Sequence, residues 1–166
     1  VLTAGGGGIG ACTIKGCVAL ECHNDAIFGN QVSDCQGGSS DYYAISAETA
    51  IKCRGYSGTS FAVASRTAVG CYGYSDSGTG VLADMAQACF GETYGNAGFG
   101  LRAWVASSCY GYNYAGGTGL WSLKVANCCY GYAATGTGLS AHIANSCLGE
   151  TSTGTAQAIT YKYNMP

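Results

Sequence analysis

Charge is scarce in this chain. Asp, Glu, Lys and Arg make up 10% of its 166 residues, against roughly 25% in an ordinary soluble domain. The net charge is −2 and no Lys/Arg cluster is present, which excludes the grouped cations of a nucleic-acid-binding face. Proline occurs once, and glycine follows no strict G-X-Y period, so the chain is not collagen-like. No apolar run approaches the roughly 18 residues of a membrane span. Asn-x-Ser/Thr sequons are missing. The first residue is Val1 rather than Met, so a targeting segment, if one exists, lies outside this sequence. What is abundant is glycine, with 28 residues, tyrosine with 13 and cysteine with 11. That many aromatics argues against disorder, and the length fits a single domain over residues 1–166.

The cysteines mark a repeat. Cys-x-Gly recurs at Cys35, Cys53, Cys71, Cys89, Cys109, Cys129 and Cys147, and Cys17 heads a weaker first copy. The intervals from Cys17 are 18, 18, 18, 18, 20, 20 and 18 residues. Eight before the cysteine stands an aliphatic residue, as in Ile27, Val63, Val81 and Leu139. Six before and three before stand small residues, mostly alanine, as in Ala83 and Ala86. Leu120-Trp121-Ser122-Leu123 carries one extra residue and reads as a bulge.

The period selects the architecture. Small apolar residues alternate with variable ones, which is strand periodicity. Helical solenoids need about 33 residues per repeat and leucine-rich repeats 20 to 29. A coil of about 18 residues with short strands and glycine turns predicts an all-β parallel β-solenoid of eight to nine coils. Right-handed winding is expected from the general crossover preference. Successive coils stack at about 4.8 Å. The column Cys17, Cys35, Cys53, Cys71, Cys89, Cys109, Cys129 and Cys147 is then a ladder of small buried hydrophobes in a narrow core.

The recurring Asn-x-Cys-x-Gly and Gly-Thr-Gly-Leu-x-Ala, as in Asn145-Ser146-Cys147-Leu148-Gly149 and Gly136 to Ala141, resemble those of repetitive bacterial β-helix proteins of the pectin-lyase-like kind. The resemblance implies the fold and export from the cell, not an activity.

The exterior is also columnar. Tyr72, Phe90, Tyr110 and Tyr130 follow their cysteines by one residue; Tyr56, Tyr74, Tyr112 and Tyr132 follow by three, interrupted by Glu92. Both columns point outward and form an aromatic strip. Plain ladder stacking, a contact between subunits and a platform for sugar rings all fit it. Asn30, Glu48, Arg66 and Asp84, five before the cysteine, alternate in sign where charged and read as a register device. Cys12, Cys22 and Cys128 break the column and are candidates for a disulfide in an oxidising space. Eleven is odd, so at least one thiol stays free or pairs with another chain.

Catalytic signals are thin. His23 and His142 are isolated, no carboxylates pair for acid–base work, and no serine has a histidine in register. The run Gly5 to Gly8 lacks the Gly-Lys-Ser/Thr of a phosphate loop. No enzyme activity, cofactor or metal is expected, nor a nucleic-acid partner or membrane span. No capping element is readable at either end, and the last coil continues as the strand-like Thr160 to Tyr163 before Pro166. Open solenoid ends template polymerisation. The expected function is therefore a secreted structural protein whose copies join head-to-tail into an extracellular filament. The alternative is a cell-surface module that holds polysaccharide on its tyrosine ladder. O-linked glycan on the Ser/Thr-rich turns fits either. Ice binding ranks lower, because Thr79, Thr118, Thr137 and Thr155 form only one column, in the turns.

Overall fold

The computed structural model describes residues 2–3 in their backbone and residues 6–164 throughout. Gly5 of the glycine run and Pro166 lie outside the described residues. Eighteen strands follow one another with no helix among the described residues. They run β1 (Leu2–Thr3), β2 (Ile9–Lys15), β3 (Val18–Cys22), β4 (Ile27–Ser33), β5 (Gln36–Ser39) and β6 (Ile45–Ile51). Then come β7 (Arg54–Ser57), β8 (Phe61–Val69), β9 (Tyr72–Ser75), β10 (Thr79–Gln87), β11 (Phe90–Thr93) and β12 (Phe99–Ser107). The last are β13 (Tyr110–Asn113), β14 (Thr118–Asn127), β15 (Tyr130–Ala133), β16 (Thr137–Asn145), β17 (Leu148–Thr151) and β18 (Thr155–Tyr163).

The even-numbered strands form one nine-stranded sheet and the odd-numbered strands another. All pairings are parallel, each strand lying beside its counterpart one coil away. This is a parallel β-solenoid of about nine turns.

Each coil uses its sequence in the same way. In β10, Thr79, Val81 and Ala83 are buried, Asp84 and Met85 are both exposed, and Ala86 is buried again. The alternation slips by one residue at Asp84–Met85, which accounts for the uneven spacing of inward residues. Ile27, Ile45, Val63, Val81, Leu101, Leu120 and Leu139 stack as a fully buried column, each contributing about 1.5–3 kcal/mol by burial. The extra residue of β14 is absorbed between Ser122 and Val125, where the register shifts.

A corner then turns the chain from the long strand into the short one. The residue before each column cysteine has positive φ: Gly16, Asp34, Lys52, Gly70, Ala88, Ser108, Cys128 and Ser146. This left-handed residue reverses the hydrogen-bonding direction. Ala88 N donates to Ser107 O on the following coil, while Phe90 N donates to Cys71 O on the preceding one.

The core is so thin that its second wall needs glycine. A Cβ on Gly73 would overlap the Gly80 carbonyl oxygen of the facing long strand, and one on Gly91 that of Gly100. The Gly of Cys-x-Gly is thus set by the distance between sheets.

A buried polar column closes the far corner. Ser75 Oγ donates to Ser60 O at 2.9 Å and accepts from Gly78 N at 2.9 Å. Ser57 and Thr93 repeat the arrangement, and Asn113 Nδ2 donates to both Gly95 O and Gly98 O. These side chains satisfy turn backbone that burial would otherwise strand.

Candidate functional site: the thiol column and two outer faces

The column cysteines occupy the start of each short strand. Seven are buried and Cys17, on the outermost coils, is only partly so. Small size is one reason for cysteine here; its weak donor is another. Cys53 Sγ donates to Ile51 O at 3.3 Å and reaches Val32 O on the preceding coil at 3.4 Å. Cys71 reaches Ala50 O and Cys147 reaches Ala126 O, both at 3.3 Å. Hydrogen bonds with the Cys53 and Cys89 thiols, and then burial, push the Cys71 thiol well above its ordinary value. Cys129 is raised in the same way between Cys109 and Cys147. A buried neutral thiol is inert toward oxidants and electrophiles.

Of the three cysteines outside the column, Cys12 and Cys128 are exposed free thiols. Cys22 is buried and directs its Sγ toward Leu20 O at 3.7 Å. Cys12 is exposed on β2, and Cys128 is exposed because it is the left-handed corner residue of its coil. Cys12, Cys22 and Cys128, the candidates for a disulfide, thus occupy three different structural positions: an exposed strand site, a buried strand end and an exposed corner.

On the short-strand sheet the outward side chains form an aromatic ladder. Tyr56 stacks on Tyr74 at 5.3 Å, Tyr72 on Phe90 at 5.6 Å, and Phe90 on Tyr112 at 5.2 Å. Tyr110, Tyr112, Tyr130 and Tyr132 continue it at 5.5–6.2 Å. Tyr94 and Tyr114, in the adjoining turns, add a third column and pack at 4.7 Å. Sequence reading missed this pair because the turns differ in length, although both stand five residues after a cysteine. The hydroxyls are tied to acids: Tyr56 and Tyr74 donate to Asp76 at 2.7 and 3.0 Å, and Tyr130 donates to Glu150 at 2.7 Å. Burial first, and then the Asp76 carboxylate, push the Tyr74 phenol up to about 12.

On the long-strand sheet Arg66 lies between Glu48, at 3.2 Å, and Asp84, at 3.8 Å. All three are more than half exposed, so the pairs set register and contribute little energy. Farther along, Arg102 lies over Trp121 at 4.5 Å and over Phe99 at 5.5 Å, and Lys124 lies over Trp104 at 5.2 Å. Phe99 and Trp121 stack at 4.9 Å. This cation–aromatic strip went unread in the sequence because the pairs that meet across coils, Arg102 with Trp121, Trp104 with Lys124 and Phe99 with Trp121, are 19 to 22 residues apart.

His23 is not isolated. Its Nδ1 lies 3.0 Å from Ser40 Oγ and 3.2 Å from Asp41 Oδ2 on the next coil. Serine and aspartate address the same ring nitrogen, and Ser40 Oγ donates to Asp41 at 2.9 Å. A catalytic relay needs the two on opposite nitrogens, so this is a surface hydrogen-bond cluster. It lowers the Asp41 carboxyl through Ser40 first and His23 second. His142 packs edge-on against Tyr161 at 5.3 Å in the outward column. Thr79 is buried, whereas Thr118 and Thr137 are only half-buried. These threonines therefore do not form an evenly exposed array.

Comparison with protein families, with curated proteins and with solved structures found no match.

Proposed function

We propose that this protein is a non-catalytic structural rod that polymerises outside the cell, coil upon coil, into a filament. The observation that carries the reading is the register. Neighbouring long strands align residue for residue along the sheet, with the shift around β14 as the interruption. A further copy stacked on β2 or β18 would continue the same hydrogen-bonding repeat that holds the coils together. Export is carried by the resemblance to secreted β-helix proteins.

The two edges are unequal. In β2 the inward residues are the apolar Ile9, Ala11 and Ile14. In β18, Gln157 and Lys162 take the places that Leu139 and Ala144 hold one coil earlier. Lys162 Nζ donates to Gln157 Oε1 at 3.0 Å. A stacked coil would cover that ammonium, and inward-pointing charge restrains edge growth. Filaments thus extend from the β18 end against an opposing desolvation cost.

The carbohydrate reading is weaker. A shallow cleft of about 300 Å³ beside Arg54, Tyr56 and Tyr72 could admit a sugar. Sugar stacking needs free ring faces, however, and these rings largely cover one another.

Negative-stain electron microscopy over a concentration series tests the proposal. Filaments extended coil upon coil are expected, appearing at lower concentration for Lys162→Ala. Isolated short rods in both proteins at the highest concentration would overturn it.

A further inference from the structure

The few charges on this rod are sorted by face. The outer face of the long-strand sheet carries Lys15, Arg66, Arg102 and Lys124 against Glu48 and Asp84. The short-strand sheet and the turns that follow its strands carry Glu21, Asp25, Asp41, Asp76, Glu92 and Glu150 against Arg54 alone. Beyond Asp84 the separation is complete: Arg102 and Lys124 belong to the outer long-strand face, Glu92 and Glu150 to the short-strand sheet.

Both faces are also apolar in that half. On one side Tyr110 is 50% exposed beside the partly exposed Tyr112 and Tyr130; on the other Trp104 is 47% exposed beside partly exposed Val105 and Val125. The sheets face each other across the core, so these surfaces look in opposite directions. Exposed apolar strips of this extent mark interaction surfaces.

We infer that the rods associate side by side, the acidic tyrosine face of one copy seating on the cationic tryptophan face of a second copy. Charge complementarity selects this occupant. A like-with-like contact would set Glu92 and Glu150 against the same acids, or Arg102 and Lys124 against the same cations, and like-charge juxtaposition disfavours both. The complementary contact brings aromatic faces together under opposite fields. Because it joins different surfaces, it repeats from rod to rod and builds layers rather than closed dimers. The contact is independent of stacking at the rod ends.

Sedimentation velocity in about 0.01 M and about 1 M salt tests it, since the Debye length falls from about 30 Å to about 3 Å over that range. Association is expected at low salt and at least tenfold weaker at high salt. Arg102→Glu with Lys124→Glu makes both faces acidic, and Glu92→Lys with Glu150→Lys makes both basic. Each double variant alone is expected to lose association by tenfold or more, and an equimolar mixture of the two to regain it. Circular dichroism establishes that each variant is folded; the salt response of the unaltered protein stands as the test if one is not. A monomeric unaltered protein at low salt, association indifferent to salt, or a mixture no better than its components would overturn the inference. End stacking is scored separately, because Lys162→Ala is expected to leave this salt response unchanged.

Discussion

The corner between long and short strands makes an unusual demand on sequence, and two opposite substitutions read it directly. Ala88 holds φ at 51° and Gly70 holds φ at 61° at equivalent positions of neighbouring coils. A Cβ in the left-handed region costs about 1–2 kcal/mol, and glycine's greater freedom in the unfolded chain offsets about 0.5–1 kcal/mol of that. Ala88→Gly is therefore expected to stabilise by about 0.5–1 kcal/mol and Gly70→Ala to destabilise by a similar amount. Space does not decide the second case, since a Cβ at Gly70 would meet Lys52 Cγ at an ordinary 3.7 Å. Urea unfolding followed by circular dichroism is the assay. With a slope of about 1–3 kcal/mol per molar urea, the midpoints move by roughly 0.2–1 M in opposite directions. Glycine inside a regular strand normally weakens it, so the sign itself discriminates. A lower midpoint for Ala88→Gly would refute the corner geometry.

Ser65 occupies the column that holds Ala47 and Ala83 in adjacent coils, and its buried Oγ lacks a hydrogen-bond partner. Ser65→Ala is expected to raise stability by about 1 kcal/mol, measured by the same unfolding experiment. A thiol-reactive chromophore should label the exposed Cys12 and Cys128 rapidly, Cys17 more slowly and the buried eight only on unfolding; a faster fourth thiol would contradict the dry column. Alkaline pH should dissolve the tyrosine ladder. Burial and then the Asp76 carboxylate raise Tyr74 to about 12, and Tyr56, Tyr72, Tyr112 and Tyr114 are raised as well. Folded phenols that hold their protons more tightly stabilise the fold below the ordinary pH of about 10. That stability is lost as pH rises from 10 toward 12, which tyrosinate absorbance and circular dichroism measured together should show.

Most of the fold is legible because the core is built of repeated columns. Cys-x-Gly marks where the short strand starts and where the opposite wall comes too close for a side chain. The aliphatic and alanine columns mark the long strand, and the extra residue near Ser122 appears as a register shift. Outer features are legible only where chemistry recurs at one offset, as with Glu48, Arg66 and Asp84. The corner is hidden because Asp34, Lys52, Ala88, Ser108, Cys128 and Ser146 share a conformation but no single residue type. The buried column of Ser57, Ser75, Thr93 and Asn113 looks like ordinary turn polarity until its hydrogen bonds are seen. Lys162 shows its inward position only through pairing with Ala144. His23 meets Asp41 across coils at a separation of 18 residues, a neighbourhood that chain order conceals.

Self-assembly is the claim on which the functional account depends, and cryo-electron microscopy of concentrated protein at low salt tests it most directly. The account predicts rods extended coil upon coil and lying side by side, with tyrosine surfaces against tryptophan surfaces. Fields of single, unassociated rods of one chain's length would contradict it.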